Sequence, residues 1–241
     1  MSLLGFKALT FDVVGTLIDF EGGMIDYIRK TAKANASQLG DDAILEAYRR
    51  ARSTPSSARY PDDLVRVYAD MARELGLPQG TAVAEGFRDS IKNWPAFPDS
   101  VEALKRLRAR YRLTAMTNAQ RWALTHMSAT LGDPFHDSVT VDDARCEKPN
   151  PQFFAFARGR LSSAGLVLED ILHVAQSQYH DIGVARQLGY TVCWIERRKG
   201  LKGFGGTQVP PQVTEPDYHF ATLGELAEAV DVEARGAGTP R

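Results

Sequence analysis

The chain has 241 residues, of which 44% are hydrophobic, so it is long enough and apolar enough to bury a sizeable core. Its 29 basic and 30 acidic residues give a formal net charge of -1, which offers no general attraction to nucleic acid or to a membrane surface. The two cysteines are too few for a disulfide framework, and no apolar run reaches the ~20 residues that span a bilayer. Since the N-terminus also lacks a signal-peptide pattern, we expect a cytoplasmic protein without nucleic-acid or membrane partners.

Short apolar strands alternate with helical segments through most of the chain. Strands are predicted over Lys7–Asp12, Leu113–Thr117, Ser138–Val141, Ile171–Ala175, Thr191–Ile195 and, as an edge, Tyr218–Phe220. Helices are predicted over Ser100–Arg110, Arg121–Leu131, Pro151–Leu161, Tyr179–Leu188 and Leu223–Val230. This alternation is typical of βαβ units, so it predicts an α/β fold with a doubly wound, mostly parallel sheet.

The alternation breaks after the first strand, where helical patterns follow one another. They are predicted over Met24–Leu39, Ala43–Arg52, Asp62–Leu75 and Thr81–Asn93. Gly22-Gly23 and the stretch Trp94–Pro98 flank this region and are typical of breaks in the chain. We therefore expect residues 1–20 and 95–232 to form the α/β core, residues 21–94 to form an inserted helical cap, and the tail 233–241 to be disordered.

Polar residues follow four of the predicted strands. Asp12 ends the first, Thr117 and Asn118 end the second, Lys148 follows the third, and Ser177 and Asp181 follow the fourth. Because the carboxyl ends of parallel strands lie along one edge of a sheet, these side chains are expected to converge on one crevice.

Asp12 is the candidate nucleophile of this crevice. A carboxylate can form a covalent ester that water later hydrolyses, which divides one difficult displacement into two easier ones. Lys148 would keep Asp12 ionised, and Thr16 would hydrogen-bond the same carboxylate. Simpler readings stay open, because Lys148 could be an ordinary surface lysine and Ser177 only a helix N-cap.

The ordered motifs resemble those of the haloacid dehalogenase superfamily of hydrolases and phosphatases. The resemblance rests on Phe11–Leu17, Met116–Asn118, Glu147–Pro149 and Ser177–Asp181, followed by Gly183 and Ala185. It implies a Rossmann-like core with an inserted cap.

Two positions distinguish the chain from the phosphatases of that superfamily. Val14 stands where phosphatases carry the acid that protonates the departing alkoxide, and Gln176 stands where they usually carry a carboxylate for magnesium. Valine cannot donate a proton, and a hard divalent cation requires several carboxylate oxygens. We therefore expect no metal and no cofactor, with Mg²⁺ relevant only if the protein is a phosphatase.

Within the superfamily the pattern most resembles the type II (S)-2-haloacid dehalogenases, which need no metal. This resemblance implies that Asp12 is the nucleophile, that Lys148 and Thr16 support it, and that Asp181 orients or activates the hydrolytic water. It also implies a set of substrate-binding residues around the nucleophile, at the strand ends and in the second cap helix: Val13, Val14, Arg49, Thr117, Asn118, Ser177, Gln178 and His180.

Several positions depart from that branch, so the substrate stays open at this point. Val14 and His180 replace usual aromatic residues, and Gln176 and Gln178 replace a usual Ser and Asn. The leading interpretation is metal-independent hydrolysis of small 2-haloacids to 2-hydroxyacids through an aspartyl ester. A phosphatase or phosphonate hydrolase, and an inactive protein that binds a small anion, are the alternatives. The expected partner is a small anionic substrate, and the resemblance also allows a homodimer.

Overall fold

The computed structural model describes residues 2–32 and 39–237. Their strands are β1 (Ala8–Phe11), β2 (Arg112–Met116), β3 (Asp137–Val139), β4 (Ile171–Ala175), β5 (Thr191–Ile195) and β6 (Tyr218–Phe220). They form one sheet in the order β3-β2-β1-β4-β5-β6, and every neighbouring pair is parallel. The predicted α/β fold with a parallel sheet is therefore confirmed, and each strand end lies within two residues of its prediction.

Strand β1 lies at the point where the strand order reverses. Phe11 pairs with Ala115 of β2 on one side and with Val174 of β4 on the other. All four residues of β1 are buried, as expected when helices cover a parallel sheet. Ligands of such sheets bind in the crevice beyond the carboxyl ends of the strands at this reversal.

Helices occupy the chain between β1 and β2. They are α1 (Phe20–Ala32), α2 (Asp41–Ser53), α3 (Leu64–Leu75) and α4 (Thr81–Asp89), with a 3-10 turn over Ser90–Asn93. The part of the first predicted cap helix over 33–38 lies outside the described residues. The assignment of these helices to a separate cap domain stays a prediction.

The segments that enter and leave the helical region pair with each other. Ile18 and Ala96 form an antiparallel bridge, and the Asp19 amide donates to the Pro95 carbonyl at 2.8 Å. Gly23, predicted to lie at a chain break, lies instead inside α1, where a Cβ would come within 2.3 Å of Trp94. This close approach fixes the start of α1 against the returning segment.

The remaining helices surround the sheet. They are α5 (Ser100–Arg108), α6 (Arg121–Thr130), α7 (Val141–Ala144), α8 (Pro151–Ser163), α9 (Gly183–Gln187) and α10 (Leu223–Ala237), with a π-helical turn over Gln178–Ile182 before α9. None of the described helices combines the length and apolar character that a membrane span requires.

The C-terminal tail differs from its prediction. Residues 233–237 continue α10, so the expectation of disorder is wrong for them, and residues 238–241 lie outside the described part. The Glu233 carboxylate accepts hydrogen bonds from the Ser2 hydroxyl at 2.6 Å and from the Leu3 amide at 3.0 Å. These contacts order the end of α10, and composition alone does not predict them because their partners are 230 or more residues away.

Candidate active site

Asp12 directly follows β1, and both of its carboxylate oxygens are hydrogen-bonded. Oδ1 accepts from Lys148 Nζ at 2.9 Å, and Oδ2 accepts from the Thr16 hydroxyl at 2.7 Å. The loop can return to the carboxylate because Gly15 adopts a φ of 88°, which favours glycine. The Thr16 oxygen in turn accepts from the Gln176 amide at 2.9 Å, which joins the loop after β1 to the end of β4.

Lys148 joins two carboxylates inside the protein. Its Nζ donates to Asp12 at 2.9 Å, to Asp181 Oδ1 at 2.6 Å and to the Met116 carbonyl at 2.8 Å, so all three ammonium hydrogens have acceptors. The residue is only 3% exposed, which rules out the reading of Lys148 as a surface lysine. A buried ammonium is tolerated when paired and hydrogen-bonded in this way.

Asp181 differs from Asp12 in that one of its oxygens has no partner. Oδ1 accepts from Lys148 and lies 3.1 Å from His173 Nε2. Oδ2 is buried, and none of the described residues donates a hydrogen bond to it. Asp181 also lines the cavity described below.

Burial and the shared lysine move the pKa values of the three groups. Burial raises the pKa of Asp12 above its usual value, against the lowering effect of Lys148. For Asp181, burial is outweighed by Lys148 and by the hydrogen bond from His173, so its pKa is lowered. Burial alone would lower the pKa of Lys148, but the two carboxylates outweigh it and the pKa is raised. Asp181 is therefore the more firmly ionised carboxylate.

A small cavity of about 100 Å³ lies above this centre. The predicted residues that line it are Asp12, Val14, Thr117, Asn118, Lys148, Ser177, His180 and Asp181. Their convergence at the strand ends was predicted from the sequence. A cavity of this size suits a small ligand.

Four predicted site residues do not line the cavity. Thr16 acts through Asp12, as described, and Val13 is fully buried in the core. The Gln178 amide is hydrogen-bonded to the backbone of Thr214 at both its oxygen and its nitrogen, at 2.9 and 3.2 Å. Arg49 donates to the Gly205 carbonyl at 2.6 Å. Val13, Gln178 and Arg49 thus contact other parts of the protein and do not line the cavity, and contact of these three residues with substrate stays a prediction.

Arg52, one helical turn after Arg49, is the α2 arginine that lines the cavity. It donates to Asp63 at 2.6 Å and to Glu147 at 3.4 Å, and its guanidinium lies 5.2 Å from the Tyr60 ring centre. A guanidinium has five N–H donors, so these contacts leave donors for a ligand. The resemblance implied Arg49 on this helix, whereas the arginine of α2 that lines the cavity is Arg52.

Other cavity residues were not predicted from the sequence. They come from the loop before α6, from α1 to α3 and from the long loop after β5: Phe20, Tyr48, Tyr60, Ala119, Gly206, Thr207 and Gln208, with Gln176 from the end of β4. The Tyr60 hydroxyl is buried near that of Tyr48 and makes no hydrogen bond of good geometry with the described residues. No motif marks these positions, because they reach the site through packing of distant segments.

His180 contributes a neutral ring to the cavity wall. Burial lowers its pKa to about 4, with Lys148 and Arg52 adding to the effect and Asp181 opposing it. Its Nδ1 lies 3.1 Å from the Ser177 oxygen, which also accepts from the His180 amide at 2.9 Å. Ser177 is thus both the N-cap of the π-helical turn and the group that orients this ring.

The sheet order and the carboxylate–lysine–carboxylate centre beyond β1 define a Rossmann-like α/β protein with an aspartate-centred site. The family model of haloacid dehalogenase-like hydrolases matches residues 6–189, and the chain belongs to this family.

Known relatives agree with this assignment. The (S)-2-haloacid dehalogenase 4A of Burkholderia cepacia is 25% identical over 232 residues, which cover 90% of this chain and 88% of that enzyme. The structure of the L-2-haloacid dehalogenase from Xanthobacter autotrophicus matches with a TM-score of 0.73 and 20% identity, over 94% of this chain and 98% of that one. A magnesium-bound HAD-type hydrolase from Bacillus subtilis matches with a TM-score of 0.73 and 18% identity, over 94% and 99% of the two chains. At these identities the two structures support the fold.

Proposed function

We propose that the protein is a metal-independent dehalogenase that hydrolyses small 2-haloacids to 2-hydroxyacids through an ester on Asp12. The observation that carries the proposal is the buried Asp12–Lys148–Asp181 centre beneath a small cavity, with Val14 where a leaving-group acid would stand. The names of the related (S)-2-haloacid dehalogenases support the substrate class.

In the first half-reaction, an Asp12 oxygen attacks C2 of the substrate. The new bond is C2–O, and the carbon–halogen bond breaks with its electron pair leaving as halide, so C2 is inverted. Lys148 and Thr16 hold the carboxylate oriented for this attack, which supplies catalysis by positioning. Halide leaves without a proton, so an apolar side chain at Val14 is compatible with this chemistry.

In the second half-reaction, water attacks the ester carbonyl carbon of Asp12. Asp181 Oδ2, which has no partner among the described residues, takes a proton from this water. The bond between the acyl carbon and the substrate oxygen then breaks, and the leaving 2-hydroxyacid oxygen takes the second proton of the attacking water. Asp12 is regenerated with one oxygen from water, and the net products are the 2-hydroxyacid, halide and one proton.

The substrate carboxylate would be held between the strand ends and α2. The Thr117 oxygen accepts from the Ala119 amide at 3.1 Å, which leaves its own hydrogen available to a ligand. Arg52 brings a guanidinium to the lining of the same cavity, and such groups suit carboxylates. The volume of about 100 Å³ favours short substrates.

The residues around Asp12 do not fit a resident Mg²⁺ ion. Lys148 Nζ already lies between Oδ1 of Asp12 and Oδ1 of Asp181, where a shared cation would bind. Among the described residues, no group of three or more His, Cys, Asp and Glu side chains could hold a metal. Since Mg²⁺ requires several hard oxygen ligands in octahedral geometry, this donor set supports a reaction without metal.

The decisive test is halide release from chloroacetate and from each enantiomer of 2-chloropropionate after treatment with a chelator. We expect release by the wild type, none by Asp12→Asn, and an accumulated ester on Asp181→Asn. A single turnover in heavy-oxygen water should place the label in Asp12.

Two other outcomes would contradict the proposal. Turnover of phosphoesters or phosphonates only when Mg²⁺ is supplied would identify a phosphatase-type enzyme. Binding of small carboxylates without turnover of any substrate would identify an inactive anion-binding protein.

A further inference from the structure

A buried histidine contacts Asp181 and does not line the cavity. His173 is fully buried in the middle of β4, with its Nε2 3.1 Å from Asp181 Oδ1 and its Nδ1 2.9 Å from the Thr10 hydroxyl. Thr10 is the β1 residue directly paired with His173 in the sheet. A buried chain of polar contacts therefore runs from Thr10 through His173 to Asp181.

The surroundings of His173 leave its ring few other partners. Phe154 packs against it edge-on with ring centres 5.7 Å apart, and Tyr190 does so at 6.2 Å. A buried polar group without a hydrogen bond is costly, so both ring nitrogens depend on Thr10 and Asp181. His173 lies in an otherwise apolar strand and has two specific polar partners, Asp181 at Nε2 and Thr10 at Nδ1.

The contacts determine where the ring hydrogen lies. An ionised carboxylate only accepts hydrogen bonds, so the contact with Asp181 requires the hydrogen on His173 Nε2. In the neutral ring, Nδ1 then accepts from the Thr10 hydroxyl, which can donate. Thr10 therefore selects the tautomer that donates to Asp181.

This donation has a consequence for Asp181. With Lys148 and His173 both on Oδ1, the carboxylate plane is fixed by two donors from different elements, and Oδ2 is the oxygen without a partner among the described residues. A carboxylate held by Lys148 alone could rotate about that single contact and exchange its oxygens. A base must keep hydrogen-bond reach of the water that it deprotonates.

We propose that His173 is a positioning residue for the hydrolysis of the Asp12 ester, with Thr10 holding its tautomer. The role rests on the proposed dehalogenase function and concerns its second half-reaction only. His173 gains and loses no proton: water attacks the ester carbonyl, and Asp181 Oδ2 takes the proton. Formation of the ester needs only Asp12 and its own partners, so it should be independent of His173.

The test separates the two half-reactions. We would measure ester formation and ester hydrolysis by intact-protein mass after rapid quenching, with 2-chloropropionate, in the wild type and in Thr10→Val/His173→Phe. This double variant keeps an aromatic ring and removes both polar partners together, which avoids an orphaned hydroxyl. We expect ester formation within about threefold of the wild type and hydrolysis ~10- to 100-fold slower, the range for one lost hydrogen bond to a charged group.

Two further variants distinguish positioning from packing. His173→Gln retains an N–H that can reach Asp181, so it should recover part of the hydrolysis rate, whereas a packing role would not respond to the donor. Thr10→Val alone should slow hydrolysis less than the double variant. Equal slowing of both half-reactions, or hydrolysis at the wild-type rate in the double variant, would overturn the role of His173.

Failure of the proposed dehalogenase function would give a different experimental result from failure of the role of His173. If the wild type forms no ester with any 2-haloacid, the dehalogenase proposal fails and this role fails with it. If the wild type turns over and the variants match it, only the role of His173 is lost. Nitrogen-15 NMR of the wild-type histidines adds a test without substrate, since a His173 Nε2 that lacks a hydrogen would overturn the proposal in either case.

Discussion

Asn118 holds the backbone of Lys148 on both sides. Its side-chain oxygen accepts from the Lys148 amide at 2.7 Å, and its side-chain nitrogen donates to the Lys148 carbonyl at 2.9 Å. The resemblance to dehalogenases implied a substrate-binding role for Asn118, and the residue does line the cavity. Its hydrogen bonds indicate a second role, which is to fix the lysine that joins the two carboxylates.

Asn118→Ala should therefore lower kcat through a displaced Lys148 and should also destabilise the fold. Loss of two partly buried hydrogen bonds is worth about 2 kcal/mol of unfolding free energy, and we expect kcat to fall at least tenfold. Asn150→Ala is the matched control, because it loses the N-cap bond to Gln152 at about 1 kcal/mol without touching the centre. Chemical denaturation and steady-state halide release measure both effects, and similar kcat values for the two variants would contradict the role.

Arg52→Gln should weaken substrate binding. A hydrogen bond to a charged group is worth ~1.5–3 kcal/mol, so KM should rise by about 10- to 100-fold with a smaller change in kcat. Since this variant also breaks the ion pair with Asp63, Arg66→Gln serves as its control: Arg66 donates to the same carboxylate at 2.9 Å but does not line the cavity. Arg49→Gln should raise KM less than Arg52→Gln, and the reverse order would restore the choice made from the sequence.

His180→Phe tests the neutral ring in the cavity wall. The change preserves an aromatic of similar shape and removes any N–H donation to the substrate or the departing halide. Since these acceptors are anions, the hydrogen bond is worth ~1.5–3 kcal/mol, so kcat/KM should fall about 10- to 100-fold. Turnover of chloro- and bromo-substrates by the wild type and by His180→Phe would measure this change in kcat/KM. Unchanged kcat and KM would show that His180 serves only the start of the helix.

The pH dependence should follow Asp12. Only the ionised carboxylate attacks, and because burial raises its pKa, the acid limb of kcat/KM should lie above pH 3.8, the ordinary value for an aspartate. On the alkaline side, the two carboxylates hold the pKa of Lys148 above 10.5, so activity should persist to about pH 10.

A profile of kcat/KM from about pH 4 to 10 checks this behaviour. His180, with a pKa of about 4, also titrates in the acid range, so the same profile in His180→Phe is the control. An acid limb that vanishes in this variant, or activity that falls between pH 7 and 9, would contradict the assignment.

Much of the fold could be read from local patterns. Strands β4, β5 and β6 coincide with their predictions because each is a short apolar run between turn-forming residues. The polar residues after the strands could be placed on one edge because all strands of a βαβ sheet point the same way. The predictions were wrong where contacts between distant segments determine the local structure. An example is the end of α10, which contacts the N-terminal residues.

Arg49 and Arg52 show why the site was predicted less well than the fold. The two residues are three positions apart on α2, which places their side chains about 60° apart around the helix axis. Both fit the same helical pattern, so the choice depends on how α2 is rotated against its neighbours. In the structure, the loop after β5 offers the Gly205 carbonyl to Arg49, and Arg52 lines the cavity.

The sequence by itself determined the parallel sheet, the family motifs and the convergence of Asp12, Lys148 and Asp181, since these depend on strand order and on short-range spacing. Only the tertiary structure decided which oxygen of Asp181 lacks a partner among the described residues and which arginine of α2 lines the cavity. It also decided that His173 on β4 meets Thr10 across the sheet. Such choices depend on side-chain orientation and on packing between segments far apart in the chain, and no periodicity in the sequence encodes them.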